Sequence, residues 1–202
     1  AKEIDDNIFH QLKNMFANLE LTEKQDFNPD EFCFAFKDFE GQPINVTIQQ
    51  DAQEFINLFF DKMENSLKKT PFRRIFSDVY GGRNCNLTVC SNCNAANERY
   101  ETFYPLSLEI KGYKSIEESF KKYITGEVIS DYQCDSCKKK TDVTKSCYLA
   151  ETPNYFIIHL TRMCFNYDKF ENEKVNSRWE FPHHLNLYDY SLDKLKGNLD
   201  SK

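Results

Sequence analysis

At 202 residues the chain is long enough for one domain with a sizeable core or a small two-part assembly. Its 15% aromatic content, with 18 Phe and 11 Tyr, argues against intrinsic disorder. A net charge of -6 speaks against nonspecific nucleic-acid binding, and no apolar run reaches membrane-spanning length. The first residues, Ala1-Lys2-Glu3-Ile4-Asp5-Asp6, lack the basic and then apolar layout of a signal peptide. We therefore expect a soluble protein of the cytoplasm, with the nucleus as a second compartment, no membrane partner and no nucleic-acid partner. Oligomeric state is not legible. The chain begins without Met and ends in Asn-Leu-Asp-Ser-Lys, as a piece of something longer does.

Residues 7 to 19 set Ile8, Phe9, Leu12, Met15, Phe16 and Leu19 on one helical face, with Asp5 or Asp6 to start the helix. Asn28-Pro29 signals a second, short helix carrying Phe32, Cys33, Phe36 and Phe39, ended by Gly41 and Pro43. The strongest helix runs from about 50 to 68 with Ala52, Phe55, Ile56, Phe59, Met63 and Leu67 as its stripe; Thr47 or Asp51 caps it and Pro71 closes it. After Phe76 the pattern turns to short extended segments around Gly81 and Gly82. Leu87 and Val89 lead into Cys90, and Tyr100, Phe103, Leu106, Leu108 and Ile110 continue the extended pattern. Ser115 and Glu118 form a capping-box pair ahead of Phe120 and Tyr123, and Gly126 ends that helix. Strands are expected near 143 to 150 and, after Pro153, in the run Tyr155 to Leu160, which reads as a fully buried central strand. Leu185, Leu187 and Tyr188 read as a last edge strand. Helices first and strands later make the fold class α+β.

Two Cys-x-x-Cys pairs, Cys90 with Cys93 and Cys134 with Cys137, supply four soft ligands on two tight turns, which is the donor set of a closed tetrahedral zinc site. A redox dithiol needs only one such pair, and disulfides are rare in a reducing compartment. Four cysteines leave no position for substrate, so the Zn2+ is expected to be structural. The roughly forty residues between the pairs are expected to bury little core of their own, so that the metal ties the base of a β-ribbon.

Gln49-Gln50-Asp51-Ala52-Gln53-Glu54-Phe55 resembles the Gln-Gln-Asp-Ala-x-Glu-Phe box of the ubiquitin-specific proteases, which are papain-like cysteine deubiquitinases. Further features fall in the same family order. They are Phe76 and Gly81-Gly82, Glu101-x-Phe103, Leu106-Ser107-Leu108, Leu160-Thr161-Arg162-Met163 (similar to the family's Leu-Lys-Arg-Phe), Lys174, Phe181-Pro182 and Leu185-x-Leu187-x-x-Tyr190. The tone is closest to the large, multidomain, fat-facets-like members. The resemblance implies a single partial catalytic domain over 1-202. Thumb-like helices occupy 1-75, zinc-bearing fingers with an inserted helix 76-150, and palm strands 151-202. It implies ubiquitin and ubiquitinated proteins as partners, cleavage after the ubiquitin C-terminal glycine, and contacts from Asp51, Gln53 and Glu54 to the ubiquitin tail. A carboxylate near a helix start can meet an arginine-bearing tail with charge-assisted hydrogen bonds. The same Asp51 and Glu54 also suit a purely local role, complementing the helix dipole.

A thiol protease needs a nucleophilic Cys, an activating His, an orienting Asn or Asp and oxyanion donors. Neither the family's Cys box nor its Gly-His-Tyr box occurs in these residues, so the segment alone is expected to be inactive. Cys33 sits among phenylalanines as a small hydrophobe, while Cys85, Cys147 and Cys164 fall on or near strands, with Cys85 a neighbour to the zinc site. His159, His183 and His184 read as structural or surface residues, and Arg162 as a partner for an acidic group or a backbone carbonyl. Two other functions stay open. One is a noncatalytic ubiquitin-binding pseudoenzyme or scaffold module; the other, disfavoured by net acidity, is a zinc-ribbon nucleic-acid binder.

Overall fold

The computed structural model describes residues 7–38, 40–49, 51–167 and 169–200, with residues 198–200 by backbone only. The chain forms two compact units that divide between Phe76 and Ser77.

In the first unit, helix α1 (Ile8–Leu21) begins where the Asn7 side chain accepts the His10 N–H at 3.1 Å. Asp5 and Asp6 lie outside the described residues. Ile8 is buried and Phe9 and Leu12 pack with it, whereas Phe16 and Leu19 are exposed, so only the first half of the expected apolar face is covered. Helix α2 (Asp30–Ala35) is shorter than expected because Phe36 turns extended, its N–H closing the last turn on the Phe32 carbonyl. Phe39 lies outside the described residues. Asp38 then organises the loop, its Oδ1 accepting the N–H groups of Glu40 and Gln42, both at 2.9 Å, around Gly41 at φ +79. Helix α3 (Ala52–Leu67) buries Leu58, Phe60, Met63 and Leu67, while Phe55 is 41% exposed. The core is Ile8, Phe36, Leu58 and Met63, lined by Phe32, Ile44, Phe59 and Phe76. α3 stops before Pro71 is reached, and the Thr70 hydroxyl donates back to the Leu67 carbonyl at 2.8 Å.

A short helix α4 (Ile75–Tyr80) crosses the dividing point and was not legible in the sequence. The second unit is built on an antiparallel sheet ordered β2-β1-β5-β4, from β1 (Gly82–Cys90), β2 (Ala96–Phe103), β4 (Glu127–Gln133) and β5 (Lys140–Glu151). Gly82 is needed for packing, since a Cβ there would lie 2.3 Å from the Phe103 ring. Strand β3 (Pro105–Glu109) pairs in parallel with β6 (Ile157–Thr161), and β7 (Met163–Asn166) forms a hairpin with β8 (Glu171–Lys174).

Helix α5 (Ile116–Ile124) opens as its capping box predicts, with the Glu118 N–H on Ser115 Oγ at 3.4 Å and Glu118 Oε2 accepting the Lys114 N–H at 2.7 Å. Its inner face completes a core of Leu106, Leu108, Ile116, Phe120, Leu149 and Tyr190, in which Phe120 stacks on Tyr190 at 4.8 Å. Burial of Phe120 alone contributes about 1.5–3 kcal/mol. Four of these six side chains lie between the two Cys pairs, which corrects the expectation that this stretch buries little core. The run from Tyr155 is also corrected. β6 is half-buried along its length, and Tyr155 is 67% exposed. The expected last edge strand is a 3-10 turn, Leu187–Tyr190, started by Asn186 Oδ1 on the Tyr188 N–H and followed by helix α6 (Leu192–Asp200). Leu187 and Tyr190, three apart, face the core through that turn. The fold is mixed α+β as expected. No helix among the described residues is long and apolar enough to cross a membrane.

Candidate metal centre and binding cleft

β1 ends at Cys90 and β4 ends one residue before Cys134, and each strand runs into the same turn. In the first, the Cys90 N–H donates to the Ala95 carbonyl at 3.0 Å, and the Asn94 N–H returns to the Cys90 carbonyl at 2.9 Å. In the second, the Cys134 N–H donates to the Lys139 carbonyl at 3.0 Å, and the Lys138 N–H returns to the Cys134 carbonyl at 2.8 Å. The residue after each second cysteine is left-handed, Asn94 at φ 55 and Lys138 at φ 57. Asn is a signal for that conformation and Lys is not, so only the first of these turns was legible at this position. The knuckles are held together by the Ser91 N–H on the Asp142 carbonyl at 3.0 Å and by the β1–β5 ladder, which sets Cys90 opposite Val143.

This backbone gathers the four Sγ atoms to within 4.8 Å of one another, with Cys93 and Cys134 3.8 Å apart. A tetrahedral ion with sulfur bonds of about 2.3 Å has edges of about 3.8 Å, so the four thiols fit a metal ion of that kind. All four cysteines are free; Cys90 and Cys134 are buried, Cys137 is half-buried and Cys93 is exposed. Backbone N–H groups aimed at the sulfurs hold three thiols below their ordinary pKa: that of Cys93 for Cys90, of Cys137 for Cys134 and of Lys139 for Cys137. Cys93 receives the Ala95 N–H, which lowers its pKa, but the three other sulfurs outweigh it and push the thiol up to about 11. Four sulfurs gathered in this way, three of them made easier to ionise by the backbone, form a donor set that a dication can complete. Cys85 is not part of it: five residues back along β1, it lies about 17 Å away.

The predicted tail-binding residues lie together at the start of α3. Asp51 is its cap, Oδ1 accepting the N–H groups of Gln53 at 2.8 Å and Glu54 at 3.1 Å, so the local role is real and occupies one carboxylate oxygen. Glu54 and Asp38 stand at an open cleft of about 350 Å³ floored by Pro43, Ile44, Phe55 and Leu58. The sequence motif contains Glu54, but nothing in it brings Asp38 and Ile44 to the same place.

The remaining thiols lie apart from the cage. Cys147 donates to the Tyr123 hydroxyl at 3.1 Å, and burial raises both groups' pKa. Cys164 faces the Glu173 carbonyl at 3.6 Å, Cys85 is fully buried, and Cys33 is half-buried on α2. His159 meets Ser107 across the β3–β6 pair at 3.3 Å, and His183 and His184 are exposed. Arg162 donates to the Val175 carbonyl at 3.0 Å, the backbone partner expected for it.

A family model described as ubiquitin carboxyl-terminal hydrolase matches residues 1–202. Similar curated proteins include ubiquitin carboxyl-terminal hydrolase 24 of Homo sapiens, 30% identical over 191 residues (93% of this chain, 7% of that protein). Ubiquitin carboxyl-terminal hydrolase 9X of Mus musculus is 28% identical over 203 residues (98% and 8%). The probable ubiquitin carboxyl-terminal hydrolase FAF of Drosophila melanogaster is 28% identical over 198 residues (95% and 7%). The chain thus spans only 7% to 8% of these relatives' length.

Proposed function

The chain belongs to the ubiquitin carboxyl-terminal hydrolase family, and from that premise we propose that it is the ubiquitin-gripping part of a thiol-dependent deubiquitinase, which releases ubiquitin from protein conjugates by hydrolysis after the ubiquitin C-terminal glycine. The observation that carries this reading is the family match over all 202 residues together with the four-thiol cage inside it. On this reading the thumb spans 1-75, the fingers 76-150 and the palm strands 151-202. Cys90, Cys93, Cys134 and Cys137 hold Zn2+, the ion favoured by four thiolates in a closed tetrahedron. When bound, the ion supplies cohesion and no reaction chemistry, because all its positions are taken.

The chain's own residues do the binding. Asp51 offers its second carboxylate oxygen, and Glu54 its whole carboxylate, to the guanidinium groups of the ubiquitin tail. Gln53, the second residue of α3, adds an amide donor and acceptor. The apolar floor of the cleft beside Glu54 seats an aliphatic side chain of the same extended tail. The nucleophilic cysteine and its histidine are supplied by residues outside these 202.

The experiment is a ubiquitin derivative with a thiol-reactive C-terminus, offered to the parent protein and to this chain. A covalent adduct on the parent, together with reversible binding by the chain, supports the reading. Reversible binding by both without an adduct identifies a noncatalytic ubiquitin-binding module, and no binding by either refutes the proposal.

A further inference from the structure

The cage is asymmetric in one respect that its binding role does not use. Cys90 and Cys134 are buried residues, Cys137 is half-buried, and Cys93 is exposed. Its Sγ touches, across the cage, the buried sulfur of the opposite knuckle, Cys134, at 3.8 Å. A disulfide requires about 2.05 Å, so the two sulfurs have less than 2 Å to close. The knuckles do not depend on the sulfurs alone to stay adjacent, because the Ser91 to Asp142 hydrogen bond and the β1–β5 pairing hold them there.

We propose that the cage is a thiol switch, in which a peroxide converts the Cys93 and Cys134 ligands into a disulfide that joins the same two knuckles while the metal leaves. The proposal rests on the metal reading above. The Cys93 sulfur, reached first by an oxidant in solution, attacks one peroxide oxygen. An S–O bond forms, the O–O bond breaks, and the departing oxygen takes a proton as water or alcohol, leaving a sulfenic acid. The Cys134 sulfur then attacks the Cys93 sulfur; the S–S bond forms, the S–O bond breaks, and hydroxide leaves to become water on taking a proton. Two thiols give up two electrons and the peroxide takes them. Cys90 and Cys137 remain, too few ligands for a closed site. Reduction of the disulfide by a thiol restores the cage.

The test uses the full 202-residue chain. Its zinc content is measured first, and zinc is added back if the content is low. Failure to hold any zinc refutes the metal reading itself and is recognisable before oxidation begins. The loaded chain is then treated with hydrogen peroxide, zinc release is followed with a chromogenic chelator, and non-reduced peptides are mapped with fragmentation to locate the linked sulfurs. The expected result is one Cys93 to Cys134 link and two lost thiols for each zinc released, with dithiothreitol and zinc restoring the starting state. Links within the knuckles, Cys90 to Cys93 or Cys134 to Cys137, overturn the proposal. So does sulfinic acid at Cys93 without a link, or full retention of zinc while the other thiols oxidise. No substitution is needed, so a variant that fails to fold cannot obscure the answer.

Discussion

Asp51 has two separable roles, and two substitutions at that one position pull them apart. As a cap it holds two otherwise unpaired N–H groups of α3 on one oxygen. Asn keeps that geometry and Ala removes it, so Asp51→Ala is expected to cost about 1 kcal/mol and Asp51→Asn much less. With a urea slope of about 1 to 2 kcal/mol/M for a unit of this size, the Ala midpoint falls by roughly 0.5 to 1 M. Among the described residues no hydrogen bond engages the second oxygen, which leaves it for a ligand. Losing a charge-assisted bond there costs about 1.5 kcal/mol for so exposed a group, or about tenfold in Kd. Both substitutions should therefore weaken ubiquitin binding about tenfold, while only Ala lowers stability. Fluorescence anisotropy with labelled ubiquitin, beside urea unfolding, measures the two effects on the same samples. If Asp51→Asn binds as tightly as the native chain, Asp51 is a cap and nothing more.

Chelation of the metal is expected to lower the melting temperature by about 10 °C or more, since several kcal/mol of metal-linked folding energy is lost and each kcal/mol moves a domain of this size by about 2–4 °C; identical melts with and without chelator contradict a structural ion. Gly82→Ala drives a methyl into the Phe103 ring and is expected to cost about 1–3 kcal/mol, whereas Gly112→Ser, with open space at its Cβ, should test only the strain of φ +85. Burial raises the pKa of Cys147 and of Tyr123, so the folded chain resists ionising groups that the unfolded chain ionises freely. The stability they contribute is intact below the unfolded thiol pKa, about 8.5, and is lost as pH rises beyond it; the urea midpoint should fall between pH 8 and 10, less so in Cys147→Ala, and a flat profile refutes the assignment.

What could be read from the sequence follows from how local each signal is. The Cys spacing, the Ser115–Glu118 box and Asp51 at a helix start act within a few residues, and each is where the chain's order placed it. Strand β4 carries Glu, Val, Ile, Ser, Asp, Tyr and Gln with almost every residue exposed, so it has no apolar alternation to read; it exists because β5 offers it a ladder. The stripe of α3 holds at Met63 and Leu67 but shifts in the first turns, where Leu58 and Phe60 are buried and Phe55 is exposed, because the consecutive apolar residues Leu58, Phe59 and Phe60 leave the choice of face to the partner surface. The apolar run before Thr161 looked central because a parallel strand and a buried one share a composition, and its half-buried state depends on a neighbour far along the chain. At the cleft, Glu54 could be named from the motif, but Asp38 and Ile44 arrive there through a loop whose shape Asp38 itself sets.

The two knuckles sit at the ends of strands whose side chains alternate between faces. Cys90 faces the cage only because β1 and β5 pair as they do, with Cys90 opposite Val143. A slip of a single residue along that ladder turns the cysteine to the other side of the sheet and leaves three ligands where four are needed. An ion held there would act as a proofreader of strand alignment, since misaligned ribbons would bind it poorly and the correctly aligned one would be captured. In a ribbon whose edge strands are mostly exposed and carry little hydrophobic pattern to set alignment, that selection would do for β1 and β5 what a buried apolar face does elsewhere.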